Sequence, residues 1–203
     1  MCNLYSMTAT VDELRRIFGS FDGERDNFPP FDEIYPGKLA PVLRRTDGGG
    51  LRLEMMRWGF PGPAAAGSRP ITNVRNLDSP FWRGALNAPE RRCIVPVTSF
   101  CEWTAEPDPA TKRKSKIWFG LNEGADPLFG FAGLWWPGDK KSEEPYMAFL
   151  TCAANALVGA VHPKAMPVML RPGAEAERWL TADRPEACAL ARPFAETEMR
   201  ILS

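Results

Sequence analysis

Two apolar runs, Leu39 to Arg45 and Leu51 to Trp58, flank Asp47-Gly-Gly-Gly50, and no other segment constrains the fold as strongly. Strand-length runs joined by a glycine-rich reversal read as a β-hairpin, because glycine supplies the positive φ that a tight turn needs. More short apolar runs follow at Cys93 to Val97, Phe100 to Thr104, Lys116 to Leu121, Leu128 to Leu134 and Tyr146 to Thr151. Their lengths suit strands rather than helices. Helical signals sit at the two ends. Thr10-Val-Asp-Glu13 is a capping box that opens a helix through Leu14, Ile17 and Phe18 and stops at Gly19. Ala154 to Val161, Gly173 to Thr181 and Pro185 to Ala191 read as three more helices, the second burying Trp179 and Leu180, the third with proline in its first turn. Loops are expected up to about Pro30, from Pro61 to Pro70, and at the basic turn Lys112-Arg-Lys-Ser-Lys116. The expectation is an α+β fold: a single domain over 1–203, with a curved, largely antiparallel, barrel-like β-sheet core and flanking short helices.

At 203 residues and 44% hydrophobic, the chain is long enough for one sizeable core. No apolar run reaches membrane-span length, and no basic segment followed by an apolar stretch opens the chain. A cytoplasmic protein with no membrane partner is expected, its five cysteines reduced. Cys2, Cys93, Cys101, Cys152 and Cys188 contain no C-x-x-C pair and there is one histidine, so neither a metal site nor a disulfide framework is expected. Net charge is zero. Between Lys38 and Arg92, however, ten basic residues stand against four acidic ones, either a phosphate-binding face or an ordinary solvated surface.

Cys2 directly follows the initiator position. Methionine is commonly trimmed before a small residue, and trimming would leave Cys2 with an α-amine and a thiol on adjacent carbons. Such a 1,2-aminothiol closes a stable five-membered ring on an aldehyde; the alternative is a cysteine that begins a buried strand. Four other segments carry candidate chemistry. In Ile71-Thr-Asn-Val-Arg75, Asn73 and Arg75 project to the same side of an extended chain, an amide beside a phosphate-gripping fork. In Phe100-Cys-Glu-Trp103, Glu102 ends an apolar strand, where burial would raise its pKa toward neutrality and suit it to acid–base work. Strand alternation leaves open whether it faces inward. His162, in Val161-His-Pro-Lys164, is held in an extended or turn conformation by the following proline and is either a structural or a catalytic residue, with Lys164 nearby as a cation. Trp58, in Met56-Arg-Trp-Gly-Phe60, stacks either on an exposed base or in the core.

Taken in order, Met1-Cys-Asn3, Tyr35-Pro-Gly37, Trp58-Gly-Phe-Pro61, Thr72-Asn-Val-Arg75, Arg92-Cys-Ile-Val-Pro96, Phe100-Cys-Glu-Trp103, Phe149-Leu-Thr151 and His162-Pro-Lys-Ala-Met-Pro167 resemble the SRAP (SOS response-associated peptidase) family across about residues 1 to 193. The resemblance implies a protein of the DNA damage response, at the nucleoid and replication fork, that binds single-stranded DNA and captures abasic sites. The capture is a DNA–protein crosslink: the Cys2 amine forms a Schiff base with the opened sugar, and the thiol closes a thiazolidine. Cys2, Asn73, Glu102 and His162 are then the catalytic set. Arg75, Trp58, Trp103, Pro36, Thr151 and Lys164 line the DNA groove. The resemblance implies no cofactor and no metal, a monomer, and possible self-reversal through Glu102. The chain departs from its look-alikes where they have Met-Cys-Gly-Arg, showing Asn3-Leu4, and where they have a glutamate after Asn-x-Arg, showing Asn76-Leu77. Rival readings are a thiol autopeptidase using Cys2, Glu102 and His162, and a non-catalytic reader of modified DNA stacking on Trp58 and Trp103.

Overall fold

The computed structural model describes residues 2–23, 28–62, 70–124, 126–138 and 143–202. Met1, parts of the loop before Pro30 and most of the Pro61 to Pro70 loop lie outside the described residues. In chain order the elements are β1 (Tyr5–Met7), α1 (Val11–Phe18), β2 (Phe21–Gly23), β3 (Phe31–Ile34), β4 (Leu39–Arg45), β5 (Leu51–Trp58), β6 (Asn73–Val74), α2 (Pro80–Asn87), β7 (Arg92–Val97) and β8 (Ser99–Trp103). They continue with β9 (Lys116–Leu121), β10 (Phe129–Trp136), β11 (Tyr146–Cys152), α3 (Ala156–Gly159), β12 (Met166–Pro167), β13 (Met169–Leu170), α4 (Ala174–Thr181), α5 (Arg184–Cys188) and β14 (Met199–Ile201).

The β4–β5 hairpin has the bounds expected from sequence. Its turn closes through Thr46 and Gly50, with Gly49 at φ 83°. The capping box also forms: the Glu13 amide donates to Thr10 Oγ1 at 3.2 Å, and the Thr10 amide to Glu13 Oε2 at 2.7 Å. Gly19 ends α1 at φ 88°. Elements that the pattern does not announce are α2, in the middle of the chain, and the two- to four-residue strands β1, β2, β3, β6, β12, β13 and β14. Segments that short carry too few residues to display a period.

Two sheets share one core. The smaller runs β14-β9-β8-β1-β3, and the larger β12-β11-β10-β7-β4-β5-β2. A parallel contact of β11 with β5 (Tyr146 with Arg57, Met147 with Trp58) bends the larger sheet into a ring-like arrangement. Strand β7 is buried along its whole length, Arg92 included. It has β10 on one side and β4 on the other. Pairing with β4 involves only Ile94 and Cys93, so Pro96 lies beyond that ladder, where a missing amide costs nothing. Tyr5 from the smaller sheet packs edge-on against Trp58, Phe131 and Phe149 of the larger one. That contact brings the end of β1, and so Cys2, against the larger sheet. Among the described residues no helix is long and apolar enough to cross a membrane.

Candidate active site

The site forms where the two sheets meet. From the smaller sheet, Tyr5 pairs with Phe100, and the Cys101 amide donates to the Leu4 carbonyl at 2.9 Å. This register lays Cys2 beside the end of β8, which carries Glu102 and Trp103. From the larger sheet, β6 pairs in parallel with β11, Asn73 beside Phe149 and Val74 beside Leu150. Asn73 therefore stands near Thr151 on the same edge. His162 arrives from the turn after α3, its amide donating to the Val158 carbonyl at 2.8 Å.

Cys2 is fully buried. Its thiol donates to the Leu4 carbonyl at 3.4 Å and lies 3.9 Å from the Cys101 carbonyl. Asn73 Nδ2 donates to the Cys2 carbonyl at 3.2 Å and to Thr72 Oγ1 at 2.9 Å. Burial, and then the neighbouring Glu102, hold the Cys2 thiol well above its ordinary pKa. Glu102 faces inward at 2% exposure, which decides the alternation left open by the sequence. Burial pushes its carboxyl up to about 7. Glu102 Oε2 is 3.9 Å from His162 Nδ1, too long for a hydrogen bond. Burial, then nearby cations including Lys164 and Lys114, lowers the His162 pKa. A raised carboxyl and a lowered imidazole are the reverse of what an ion pair produces: around pH 7 the imidazole is neutral, while the carboxyl is divided between its protonated and ionised forms. Glu102 Oε1, Asn73 Oδ1 and Thr151 Oγ1 are buried without a hydrogen-bond partner. Each of these unmet buried atoms would cost about 1–3 kcal/mol if nothing ever bound it.

The remaining groove residues divide. Arg75 is exposed; one guanidinium nitrogen donates to the Cys152 carbonyl at 2.6 Å. Lys164 is exposed, and Pro36 is half-buried in a turn closed by the Lys38 amide on the Tyr35 carbonyl, with Gly37 at φ 84°. Trp103 is half-buried and Thr151 buried. Trp58 is a correction. It is wholly buried, its ring against Phe149 and Tyr5 and its indole N–H donating to the Thr72 carbonyl at 3.0 Å, so it has no face left for a base. Of the basic stretch from Lys38 to Arg92, four of the described cations are engaged within the fold. Arg44, Arg45 and Arg57 pair with Glu54, Glu177 and Glu144, and Arg92 is buried. Cations approach the site instead from the turn at Lys114 and Lys116, read from sequence only as an exposed reversal. Asn3 and Tyr35, which no pattern in the sequence marked as partners, also join it through Trp103 and Lys116.

A family profile described as SOS response associated peptidase (SRAP) matches residues 1–203. The chain belongs to the SRAP family. Among SRAP relatives, the abasic site processing protein YoqW of Bacillus subtilis strain 168 is 30% identical over 193 residues, 89% of this chain and 80% of that protein. The abasic site processing protein YobE of the same organism is 28% identical over 183 residues, 84% of this chain and 78% of that one. A crystal structure of a protein from Bacteroides thetaiotaomicron superposes with a TM-score of 0.76 at 20% identity, covering 100% of this chain and 92% of that one. One from Bordetella bronchiseptica gives 0.75 at 21%, covering all of both chains. At those identities the two structures speak to the fold: the SRAP chain shares their arrangement of sheets and short helices.

Proposed function

We propose that this SRAP chain processes abasic sites in DNA, as its relatives YoqW and YobE are named for doing, and that it captures them covalently in single strands through Cys2. The observation that carries the reading is the convergence on Cys2 of a carboxyl poised near neutrality, Glu102, and an amide, Asn73, each with an unpartnered buried oxygen. Removal of Met1 exposes the Cys2 α-amine, and an α-amine, unperturbed, has a pKa of about 8, far below that of a lysine, which leaves a reactive neutral fraction at physiological pH. The sugar ring opens as the C1′–O4′ bond breaks, the ring oxygen taking one proton while the C1′ hydroxyl gives one up, which exposes the C1′ aldehyde with no net proton change. The amine attacks C1′; the resulting hydroxyl leaves as water, with its proton from the Glu102 carboxylic acid, and a protonated Schiff base forms. Sulfur then adds to the same carbon, and the thiol proton passes to the Glu102 carboxylate. One N–C and one S–C bond are made, the aldehyde oxygen departs as water, and Glu102 ends as it began. A group with a pKa near 7 can serve both transfers. Neutral His162 accepts a hydrogen bond from the opened sugar's hydroxyl. Arg75 and Lys164 hold flanking phosphates, and Trp103, Pro36 and Thr151 line the path.

A thiol peptidase requires an accessible thiolate, usually made by lowering the cysteine pKa. Here burial moves Cys2 the other way, and the imidazole faces Glu102. The test is incubation of Met1-free protein with an oligonucleotide bearing one abasic site, resolved on a denaturing gel. Wild type is expected to give a heat-stable adduct whose mass is the sum of both molecules less one water. Cys2→Ala, or protein retaining Met1, is expected to give none. Binding without an adduct would establish a reader, and indifference to the DNA would sink the reading.

A further inference from the structure

Cys2 stands beyond the first ladder pair of β1, at a chain end of the kind that ordinarily frays. The proposed reaction asks much of it, since two bonds must form in succession to one carbon and small misplacements of reacting groups are costly. Side chains on either side hold the segment. Asn73 takes the Cys2 carbonyl from the larger sheet. From the smaller sheet, Trp103 Nε1 donates to Asn3 Oδ1 at 3.1 Å. That bond joins the residue next to the reactive cysteine to the residue next to the acid–base carboxyl.

Trp103 is itself braced. Its cross-strand partner Lys116 places Nζ 5.8 Å from the ring centroids of both Trp103 and Tyr35. The same ammonium donates to the Tyr35 hydroxyl at 3.2 Å and to Glu33, and Tyr35 donates to Glu33 at 2.7 Å. The indole plane is thus set by the strand, by a cation on its face and by an acceptor at its edge. Asn3 is exposed, so its side chain adds little to the core. Chains that show glycine at this position have no side chain to offer the indole.

We propose that Asn3 is a positioning residue for the crosslinking reaction: by accepting the Trp103 indole N–H, with Trp103 braced by Lys116, it holds the N-terminal segment so that the Cys2 amine and thiol face Glu102 and Asn73. This rests on the abasic-site reading above. Because Asn3 acts on geometry, its loss slows the covalent step and leaves DNA binding in place.

Single-turnover crosslinking over a range of abasic single-stranded DNA concentrations tests it, using Met1-free wild type, Asn3→Gly, Asn3→Asp, Trp103→Phe and the Asn3→Gly/Trp103→Phe double variant. Losing one hydrogen bond is expected to slow the saturated rate about three- to ten-fold in Asn3→Gly. The half-saturating DNA concentration should hold within about two-fold, since a positioning bond is not a phosphate contact. Asn3→Asp keeps the acceptor and should restore the saturated rate. The double variant should be no slower than the slower single one, because both remove the same bond. Exchange of the Trp103 indole proton, followed by NMR, should quicken in Asn3→Gly. A saturated rate unchanged in Asn3→Gly, or single effects that multiply in the double variant, overturns the proposal. A wild type that forms no adduct overturns the abasic-site reading and the positioning role with it. Normal wild-type crosslinking with unchanged indole exchange in Asn3→Gly overturns the tether alone.

Discussion

Glu102 titrates in a range where the cell's own pH decides its state, and both catalysis and stability inherit that. Its carboxyl is raised from 4.5 to about 7 in the folded chain by burial. The folded state therefore favours the protonated form, and the stabilising linkage is complete below the unfolded value and lost as pH rises through 7. Wild type is expected to lose roughly 3 kcal/mol of unfolding free energy between pH 4.5 and 8 relative to Glu102→Gln, measured by urea denaturation at each pH. The same substitution should slow adduct formation by about a hundred-fold and remove the inflection near pH 7 from its pH–rate profile. A profile unchanged in Glu102→Gln would take the carboxyl out of the proton transfers. At this scale the sequence spoke clearly on residue type and not on placement. A glutamate between Cys101 and Trp103 has equal claims to either face of a strand, and only packing put it beside Cys2.

Strands β7 and β10 lie at the centre of the larger sheet, and their contact is close enough to exclude a methyl group. A Cβ added at Gly133 would meet Cys93 Sγ at 2.7 Å and the Cys93 carbonyl at 3.3 Å. Gly133→Ala is expected to cost about 1–3 kcal/mol by overpacking, with part of it recovered when Cys93→Ala removes the sulfur. Thermal and urea unfolding of the single and double variants would show this, and additive losses would refute it. Elements of this length were readable before the structure because each is an apolar run of strand length: β4, β5 and β9 have the bounds that their runs suggest, and β7, β8, β10 and β11 differ by a residue or two. Strands β6 and β12 were not readable, at two residues each. Yet β6 carries Asn73 into the site, and β12 pairs Pro167 with Thr151.

Over the whole molecule, Arg92 ties the helices to the sheet. Its guanidinium donates to Trp179 and Ala182 at the end of α4 and to Leu86 at the end of α2, and lies over the Trp179 ring. A cation at two helix C-termini meets their unpaired carbonyls and the negative ends of their dipoles. Arg92→Met fills similar space but orphans three acceptors, and is expected to cost roughly 2–4 kcal/mol by urea unfolding. At permissive temperature the surviving folded fraction should crosslink normally, since the partners of Arg92 are Trp179, Ala182 and Leu86 and none of the residues around Cys2; a variant as stable as wild type would refute the clamp. In the sequence Arg92 counted toward a basic stretch that reads as either a phosphate-binding face or an ordinary solvated surface. The fold uses it inside.

Local chemistry alone decided the strand series, the capped helix, the aminothiol potential of Cys2 and the order of motifs that marks an SRAP chain. Those depend on neighbours in sequence: periodicity, turn residues and the covalent structure of a terminus. Tertiary structure decided which way Glu102 faces, that Trp58 belongs to the core, that Arg92 clamps helices, and that Asn3 meets Trp103. Each of these turns on contacts between segments far apart in the chain, Trp103 with Asn3 and Arg92 with Ala182 among them. Burial and hydrogen-bond satisfaction are properties of the assembled core, so no local pattern carries them.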